Sequence, residues 1–211
     1  MIAVKICGIT RVEDAQLASD LGAVALGFIC YPLSPRYVTP AKATAIVGEL
    51  DAGIRKVGVF VNAPPGEINA VVRKVGLDMA QLSGSESPEE CQQIDVPVIK
   101  AVRVGLDFNP AVAASFDVHA IMVDTYNPSL YGGTGETFDW SRLDRDVFVQ
   151  PMILSGGLHP ENILQGIEAL RPDAVDVNSG VETSPGVKDP AKLERLFSVL
   201  KPTEASSVHV F

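Results

Sequence analysis

The segment AVKICGITRVEDAQLASDLGAVALGFI, residues 3–29, contains the pattern that decides the fold prediction. Its apolar and β-branched runs at 3–7 and 24–29 predict two strands, and the stretch 11–21 between them has the spacing of a helix. Thr10 precedes an acidic first turn, which is typical of a helix start. Because a strand, a helix and a second strand in this order favour a right-handed crossover, the segment predicts a unit of parallel sheet.

The same alternation continues along the chain about eight times. Strands are predicted near residues 3–7, 24–29, 55–61, 79–82, 98–102, 119–123, 151–155 and 174–177. Helices are predicted near residues 11–21, 40–50, 65–75, 87–93, 108–115, 138–145, 160–169 and 189–200. About eight such units in about 200 residues fit the α/β class and a single-domain, closed (β/α)8 TIM barrel over residues 1–200. The tail 201–211 has no periodic pattern and is expected to fray.

An open, doubly wound sheet is the alternative for alternating strands and helices. That fold commonly carries a GxGxxG fingerprint after its first strand, and the corresponding segment of this chain lacks it. No linker rich in proline, glycine or serine divides the chain. The closed barrel is therefore favoured.

Composition argues against several classes of partner. The 211 residues include 17 Lys and Arg and 26 Asp and Glu, which gives a formal net charge of −9. Because no basic run is present to neutralise phosphates, nucleic acid is not an expected partner. No apolar stretch approaches the ~18 to 20 residues that cross a bilayer, and the N-terminus does not resemble a secretion signal, so a cytoplasmic protein without membrane contact is expected. Cys7, Cys30 and Cys91 form no CxxC pair, which argues against a disulfide framework or a zinc ribbon.

Strand alternation predicts which side chains point into the barrel. The predicted inward residues are Ala3, Lys5 and Cys7 on the first strand, Ala120, Met122 and Asp124 on the sixth, and Ala174, Asp176 and Asn178 on the eighth. Since the eighth strand of a closed barrel pairs with the first, we expect a buried ion pair between Lys5 and Asp176. The same ammonium is expected to lower the pKa of the Cys7 thiol.

Cys7 and Asp124 are the candidate acid–base residues. Both are predicted at the carboxyl ends of barrel strands, where the βα loops gather and catalytic residues are typical. A thiol can serve as a base when its surroundings favour the thiolate, and a carboxyl can serve as a general acid when burial raises its pKa. A structural cysteine and a loop-fixing aspartate are the alternatives.

Two glycine loops after the last two strands predict a phosphate site. They are LSGGL (154–158) and NSGVE (178–182). Backbone N–H groups at this place in a barrel recurrently bind phosphate, and glycine permits close approach. The predicted binding residues are Gly156, Gly157, Asn178, Ser179 and Gly180. The alternative for a single glycine pair is a simple turn.

Two long loops, 30–39 and 125–137, are expected on the same catalytic face. Arg36 is the only cation of the first loop, and its planar guanidinium suits bidentate binding of a carboxylate, although a solvated arginine is the alternative. The second loop contains the predicted lid residues, which are Gly132, Gly133, Thr134 and Gly135. A rigid turn is the alternative there.

Together these segments resemble the phosphoribosylanthranilate isomerase family of tryptophan biosynthesis. The matching segments are KICGIT (5–10), GFICYPLSPRYV (27–38), VGVFVN (57–62), GGTGETFDW (132–140), LSGGLHPENI (154–163) and DVNSGVETSPGVKD (176–189). They follow the order of the family over nearly the whole chain.

The resemblance implies a barrel that converts N-(5-phosphoribosyl)anthranilate to a carboxyphenylamino-deoxyribulose phosphate by an Amadori rearrangement, without a metal or an organic cofactor. It implies that Cys7 is the general base, that Asp124 is the general acid and that Arg36 holds the anthranilate carboxylate. The two glycine loops match the phosphate site of the family. The residues expected to support the site are Lys5, Asp176 and Gln81. The expected partner is a small phosphorylated substrate, and the expected state is a monomer or a homodimer.

The chain departs from the family pattern at two positions. Ser83 stands where the family commonly has histidine, which removes a hydrogen-bond donor near the site and is expected to lower activity or alter ligand contacts. Asn178 stands where a serine is usual, and little loss is expected because the backbone donors remain.

Other phosphosugar barrels and a non-catalytic barrel are the competing interpretations. A metal-dependent epimerase needs histidine ligands at strand ends, and His119, His159 and His209 do not occupy such places. An indole-glycerol phosphate synthase needs a different set of catalytic lysines and glutamates, and we could not assign these residues in this sequence. A ligand-binding barrel without activity is disfavoured because both Cys7 and Asp124 are present.

Overall fold

The computed structural model describes residues 1–104, 110–124, 143, 145–203 and 210–211. Eight parallel strands form a closed barrel in which each strand pairs with the next along the chain and β8 pairs with β1. The barrel strands are β1 (Ala3–Ile6), β2 (Ala25–Ile29), β3 (Arg55–Phe60), β4 (Met79–Leu82), β5 (Val98–Arg103), β6 (Ala120–Asp124), β7 (Met152–Ser155) and β8 (Ala174–Val177). The predicted (β/α)8 TIM barrel is confirmed.

Helices connect the strands wherever the connecting segments are described. The α-helices of the described ranges are α1 (Val12–Leu21), α2 (Pro40–Val47), α3 (Pro65–Val75), α4 (Pro88–Cys91), α5 (Pro110–Ala114), α6 (Ile163–Leu170) and α7 (Pro190–Leu200). Local sequence determines their starts: Thr39 accepts a hydrogen bond from the backbone N–H of Lys42, and Pro40 occupies the first helical position of α2. The helix predicted at 138–145 lies almost wholly outside the described residues.

Helix α6 begins three residues later than the sequence predicts. The prediction placed its start at Pro160, but the helix begins at Ile163. The preceding residues form a separate turn, in which the Asn162 side chain accepts a hydrogen bond from the His159 backbone N–H at 2.8 Å. Asn162 also donates to the Gly157 carbonyl at 3.0 Å, so this turn supports the loop after β7.

A small antiparallel hairpin follows β8, and the sequence analysis did not predict it. Its strands are β9 (Glu182–Ser184) and β10 (Val187–Lys188). The turn between them contains Gly186 at φ +81°, a left-handed conformation that glycine adopts without strain. Strands of two or three residues are too short to show an alternation of apolar and polar side chains. The Pro185–Gly186 pair is the sequence feature that indicates a turn here.

Apolar side chains separate into a barrel interior and an outer shell beneath the helices. The interior cluster consists of Ala25, Val57, Met79, Ile99, Ala120, Met122, Ile153, Ala174 and Val210. The outer cluster contains Val4, Ile6, Ile121, Val123, Val175 and Val177. This division confirms the predicted parity of the first, sixth and eighth strands.

The expected fraying of the C-terminal tail is wrong for the last two residues. Val210 is only 1% exposed and packs in the interior cluster, with Phe211 against the same cluster. The Val210 carbonyl lies 3.1 Å from the His119 ring nitrogen. Burial of an apolar side chain is favourable without any periodic pattern, so the sequence carried no signal for this contact.

Removal of Val210 and Phe211 is expected to lower the free energy of unfolding by about 2 kcal/mol, because it uncovers the interior cluster. Equilibrium unfolding in urea measures the change. Val149→Ala is the control, since Val149 is 90% exposed and its loss should change stability by about 0.5 kcal/mol or less. An unchanged unfolding midpoint in the shortened chain would show that this contact is not stabilising.

Candidate active site

A cavity of about 1000 Å³ opens where the barrel strands end. Its lining includes Cys7 after β1, Gln81 on β4, Asp124 at the end of β6, Ser155 at the end of β7 and Asp176 on β8. These residues come from strands all around the barrel. The fold therefore brings the predicted acid, the predicted base and three other polar groups to one cavity.

Lys5 and Asp176 form the predicted buried ion pair. The Lys5 Nζ atom lies 2.7 Å from Asp176 Oδ1, and the two side chains are 0% and 5% exposed. The pair follows directly from barrel closure, because Lys5 and Asp176 are register partners of β1 and β8. Ser155 donates a longer hydrogen bond of 3.4 Å to the other carboxylate oxygen, so the pair reaches across to β7.

The pKa of the Cys7 thiol is raised, in contrast to the expected lowering by Lys5. Burial is the largest cause, because a thiolate loses its hydration in the barrel. Lys5 and Lys188 lower the pKa and Asp176 raises it, so the predicted effect of Lys5 is present but is outweighed. Gly27 leaves room for this arrangement, since a side-chain carbon there would lie 2.7 Å from the Cys7 sulfur.

The pKa of the Asp124 carboxyl is also raised. Burial is the largest cause, the negative charge of Asp176 adds to it, and Arg103 opposes it. Arg103 and Ser155 flank Asp124 as its register partners on β5 and β7. A raised pKa keeps the proton on this carboxyl to higher pH, which suits a group that must donate one.

The two predicted glycine loops lie side by side. Gly156 and Gly157 adopt φ values of +93° and +64°, which favour glycine. Asn178 and Ser179 line the cavity with them. A side chain at Gly180 would overlap the Leu158 carbonyl oxygen, so glycine at this position lets the two loops pack closely.

Arg36 is held by Glu182, a partner that the sequence analysis did not identify. Arg36 Nε donates to both carboxylate oxygens at 2.9 and 3.0 Å, and Nη2 donates to Oε2 at 2.6 Å. Burial would raise the pKa of Glu182, but Arg36 and Lys188 outweigh it and hold the pKa below its usual value. The arginine is thus fixed by an ion pair, with 19% of its side chain exposed. Its aliphatic stem lies next to Gly8, beside the cavity residue Cys7.

Lys188 is a second functional candidate that sequence reasoning missed. Its buried ammonium donates to Glu182 Oε1 at 3.0 Å, to the Asn178 carbonyl at 3.1 Å and to Asn178 Oδ1 at 3.2 Å. Burial is the main cause that lowers the pKa of Lys188, against the opposing charge of Glu182. Lys188 therefore ties the loop after β8 to the carboxylate that holds Arg36.

The side-chain amide of Gln81, on β4, lines the cavity across the barrel from the loop after β8. Its Nε2 donates to Ser83 Oγ at 3.1 Å. Its buried Oε1 has no hydrogen-bond partner among the described residues. A ligand donor would satisfy this oxygen, which fits the expected supporting role of Gln81.

The remaining sequence predictions concern the lid and bound metals. The predicted lid residues Gly132, Gly133, Thr134 and Gly135 lie outside the described residues. Within the described part of the chain, no group of three or more His, Cys, Asp and Glu side chains is arranged to hold a metal ion. No described helix is long and apolar enough to cross a membrane.

A family model and similar proteins at 40% identity or more identify the family of this chain. The family model described as N-(5'-phosphoribosyl)anthranilate (PRA) isomerase matches residues 4–199. The N-(5'-phosphoribosyl)anthranilate isomerase of Citrifermentans bemidjiense is 45% identical over 201 residues, covering 95% of this chain and 98% of the relative.

Solved structures of similar proteins carry the same name. The phosphoribosyl anthranilate isomerase of Thermotoga maritima superposes with a TM-score of 0.87 at 43% identity, covering 96% of this chain and 100% of that chain. The enzyme from this organism is also described as dimeric. A phosphoribosyl anthranilate isomerase in complex with reduced 1-(o-carboxyphenylamino)-1-deoxyribulose 5-phosphate superposes with a TM-score of 0.84 at 40% identity, covering 96% of this chain and 100% of that chain.

Proposed function

Because the chain belongs to the N-(5'-phosphoribosyl)anthranilate isomerase family, we propose that Cys7 is the general base and Asp124 the general acid of that reaction. The reaction is the Amadori rearrangement of N-(5-phosphoribosyl)anthranilate in tryptophan biosynthesis. The observation that carries the assignment is the meeting of Cys7 and Asp124 at one cavity, with the two glycine loops on the strands between them.

The rearrangement requires one proton to be delivered and another to be removed. Opening of the ribose ring needs a proton on the ring oxygen, and Asp124, whose pKa is raised, is suited to donate it. Formation of the enolamine needs removal of the proton from C2 of the sugar, and the Cys7 thiolate is suited to accept it. The neighbouring Lys5 ammonium stabilises that thiolate, although burial opposes it.

Phosphate binding orients the sugar between these two groups. In the closed barrel β7 and β8 lie between β6 and β1. A phosphate bound at Gly156, Gly157 and the loop of Asn178, Ser179 and Gly180 would therefore hold the sugar between Asp124 and Cys7. Such orientation makes the proton transfers effectively intramolecular.

Arg36 binds the anthranilate carboxylate in this proposal. Arg36→Ala is expected to raise KM at least tenfold with a smaller change in kcat, because a charge-assisted bidentate contact is lost from bound substrate and transition state alike. Steady-state kinetics measure both constants. Arg73→Ala is the control, since Arg73 pairs with Asp95 on the exposed surface and should leave KM unchanged. A normal KM in Arg36→Ala would contradict the assignment.

The activity is tested by following the loss of fluorescent phosphoribosylanthranilate, generated freshly from anthranilate. Purified protein is expected to consume it in the presence of a metal chelator, and the product is expected to be the carboxyphenylamino-deoxyribulose phosphate. Folded protein that leaves the substrate unchanged would refute the proposed function.

The remaining parts of the proposal concern assembly and location. A dimer occurs in a homologue, and a monomer or a homodimer is proposed for this chain. We propose a cytoplasmic location, with the phosphorylated small molecule as the binding partner and without nucleic acid or membrane partners.

A further inference from the structure

The hairpin of β9 and β10 presents a buried carboxylate to Arg36. The Glu182 side chain is 4% exposed, and its two oxygens bind the Nε and Nη2 edge of the guanidinium from the side. A planar guanidinium has a second edge, formed by Nη1 and Nη2, that can bind another carboxylate. Arg36 Nη1 donates no hydrogen bond to a described residue.

Glu182 is itself fixed from the opposite side. Its Oε1 atom accepts hydrogen bonds from Lys188 Nζ at 3.0 Å and from the Gly186 backbone N–H at 3.1 Å. Lys188 is anchored in turn by both oxygens of Asn178. The carboxylate therefore cannot turn away from Arg36 without breaking buried hydrogen bonds.

The same cluster has a charge suited to an anion. Arg36 and Lys188 each carry one positive charge and Glu182 one negative charge, so the three groups leave one net positive charge in a chain of net charge −9. Glu182 balances only part of the positive charge. The second edge of Arg36 thus remains attractive to a carboxylate.

We propose that Glu182 is a positioning residue for substrate recognition, holding the guanidinium of Arg36 so that its Nη1 and Nη2 edge binds the ring carboxylate of the substrate. The proposal rests on the proposed role of Arg36. Pre-organisation is the physical reason, because an arginine fixed before binding does not lose its side-chain freedom when the ligand arrives.

A role only in stability predicts a different result from a positioning role. If Glu182 merely stabilises the hairpin, its loss should weaken binding of every ligand of the site to a similar extent. If Glu182 positions Arg36, its loss should weaken binding of a ligand with the carboxylate much more than binding of the same ligand without it.

The test uses reduced 1-(o-carboxyphenylamino)-1-deoxyribulose 5-phosphate and the corresponding phenylamino compound that lacks the carboxylate. Titration calorimetry gives the two Kd values, and their ratio measures carboxylate recognition. We expect the ratio to be at least tenfold in the unaltered protein and at least fivefold smaller in Glu182→Gln, with the Kd of the compound without carboxylate changed less than twofold.

Three further variants make the outcome decisive. Glu182→Asp keeps the negative charge that balances Lys188, but its shorter side chain withdraws the carboxylate from Arg36. This variant should therefore also reduce the ratio of Kd values. If Glu182→Gln does not fold, Glu182→Asp tests the positioning role in its place. Arg36→Lys removes the planar fork. Asp173→Asn is the matched control. Asp173 directly precedes β8, and its carboxylate pairs with another arginine, Arg145, at 2.8 Å.

Each pattern of results has one meaning. A reduced ratio in Arg36→Lys and both Glu182 variants, with a normal ratio in Asp173→Asn, supports the positioning role. A reduced ratio in Arg36→Lys alone overturns the positioning role but leaves the role of Arg36 intact. An unchanged ratio in Arg36→Lys refutes the carboxylate-binding role of Arg36 itself. An equal reduction in Asp173→Asn overturns the inference, because the effect would then be general loosening.

Discussion

Cys7→Ala is expected to lower kcat by about 10²- to 10⁴-fold with a much smaller change in KM, because the variant has no group to accept the proton from C2. Cys7 lies at the carboxyl end of the barrel, and its thiol is buried beside the Lys5 ammonium. Steady-state kinetics with the fluorescent substrate measure the loss.

Cys91→Ala is the matched control for this change. Cys91 is equally buried, but it packs among the apolar side chains under the helices rather than at the cavity. Its replacement should cost some stability and leave kcat unchanged. Near-normal kcat in Cys7→Ala would remove Cys7 from the role of general base.

The pH dependence identifies the group that remains in each variant. The unaltered enzyme needs Cys7 ionised and Asp124 protonated, so kcat/KM is flat between their two pKa values. Without Cys7, only the requirement for a protonated Asp124 remains. The residual kcat/KM of Cys7→Ala should therefore fall about tenfold per pH unit above the pKa of Asp124.

The barrel was predictable because each strand and helix has its own local sequence pattern, and the pattern repeats along the chain. Each strand carries its own alternation, and Lys5 and Asp176 can be paired from sequence once closure makes β1 and β8 neighbours. The interior position of Val210 was not predictable, because a single apolar residue after a tail without a pattern shows no periodicity from which burial could be inferred.

The candidate site was predictable where function depends on strand ends. Cys7, Asp124 and the glycine loops follow from their positions after strands, whereas Glu182 and Lys188 depend on a hairpin too short to show a pattern. Sequence also could not weigh opposing electrostatic effects. The attraction of Lys5 was foreseen, but the larger effect of burial on the pKa of Cys7 requires the packed barrel.

Asp124→Asn is expected to lower kcat by a comparable ~10²- to 10⁴-fold, because an amide keeps the shape of the carboxyl but has no acidic proton for the ring oxygen. Asp95→Asn is the control, since Asp95 is exposed and paired with Arg73 away from the cavity. Unchanged kcat in Asp124→Asn would exclude Asp124 as the general acid.

The residual activity of Asp124→Asn should have the opposite pH dependence to that of Cys7→Ala. Only the thiolate requirement remains in this variant, so kcat/KM should rise about tenfold per pH unit toward the pKa of Cys7, which burial places above its ordinary value. Because one variant falls with pH and the other rises, the pair of profiles separates the acid from the base. Parallel profiles would mean that one group performs both transfers.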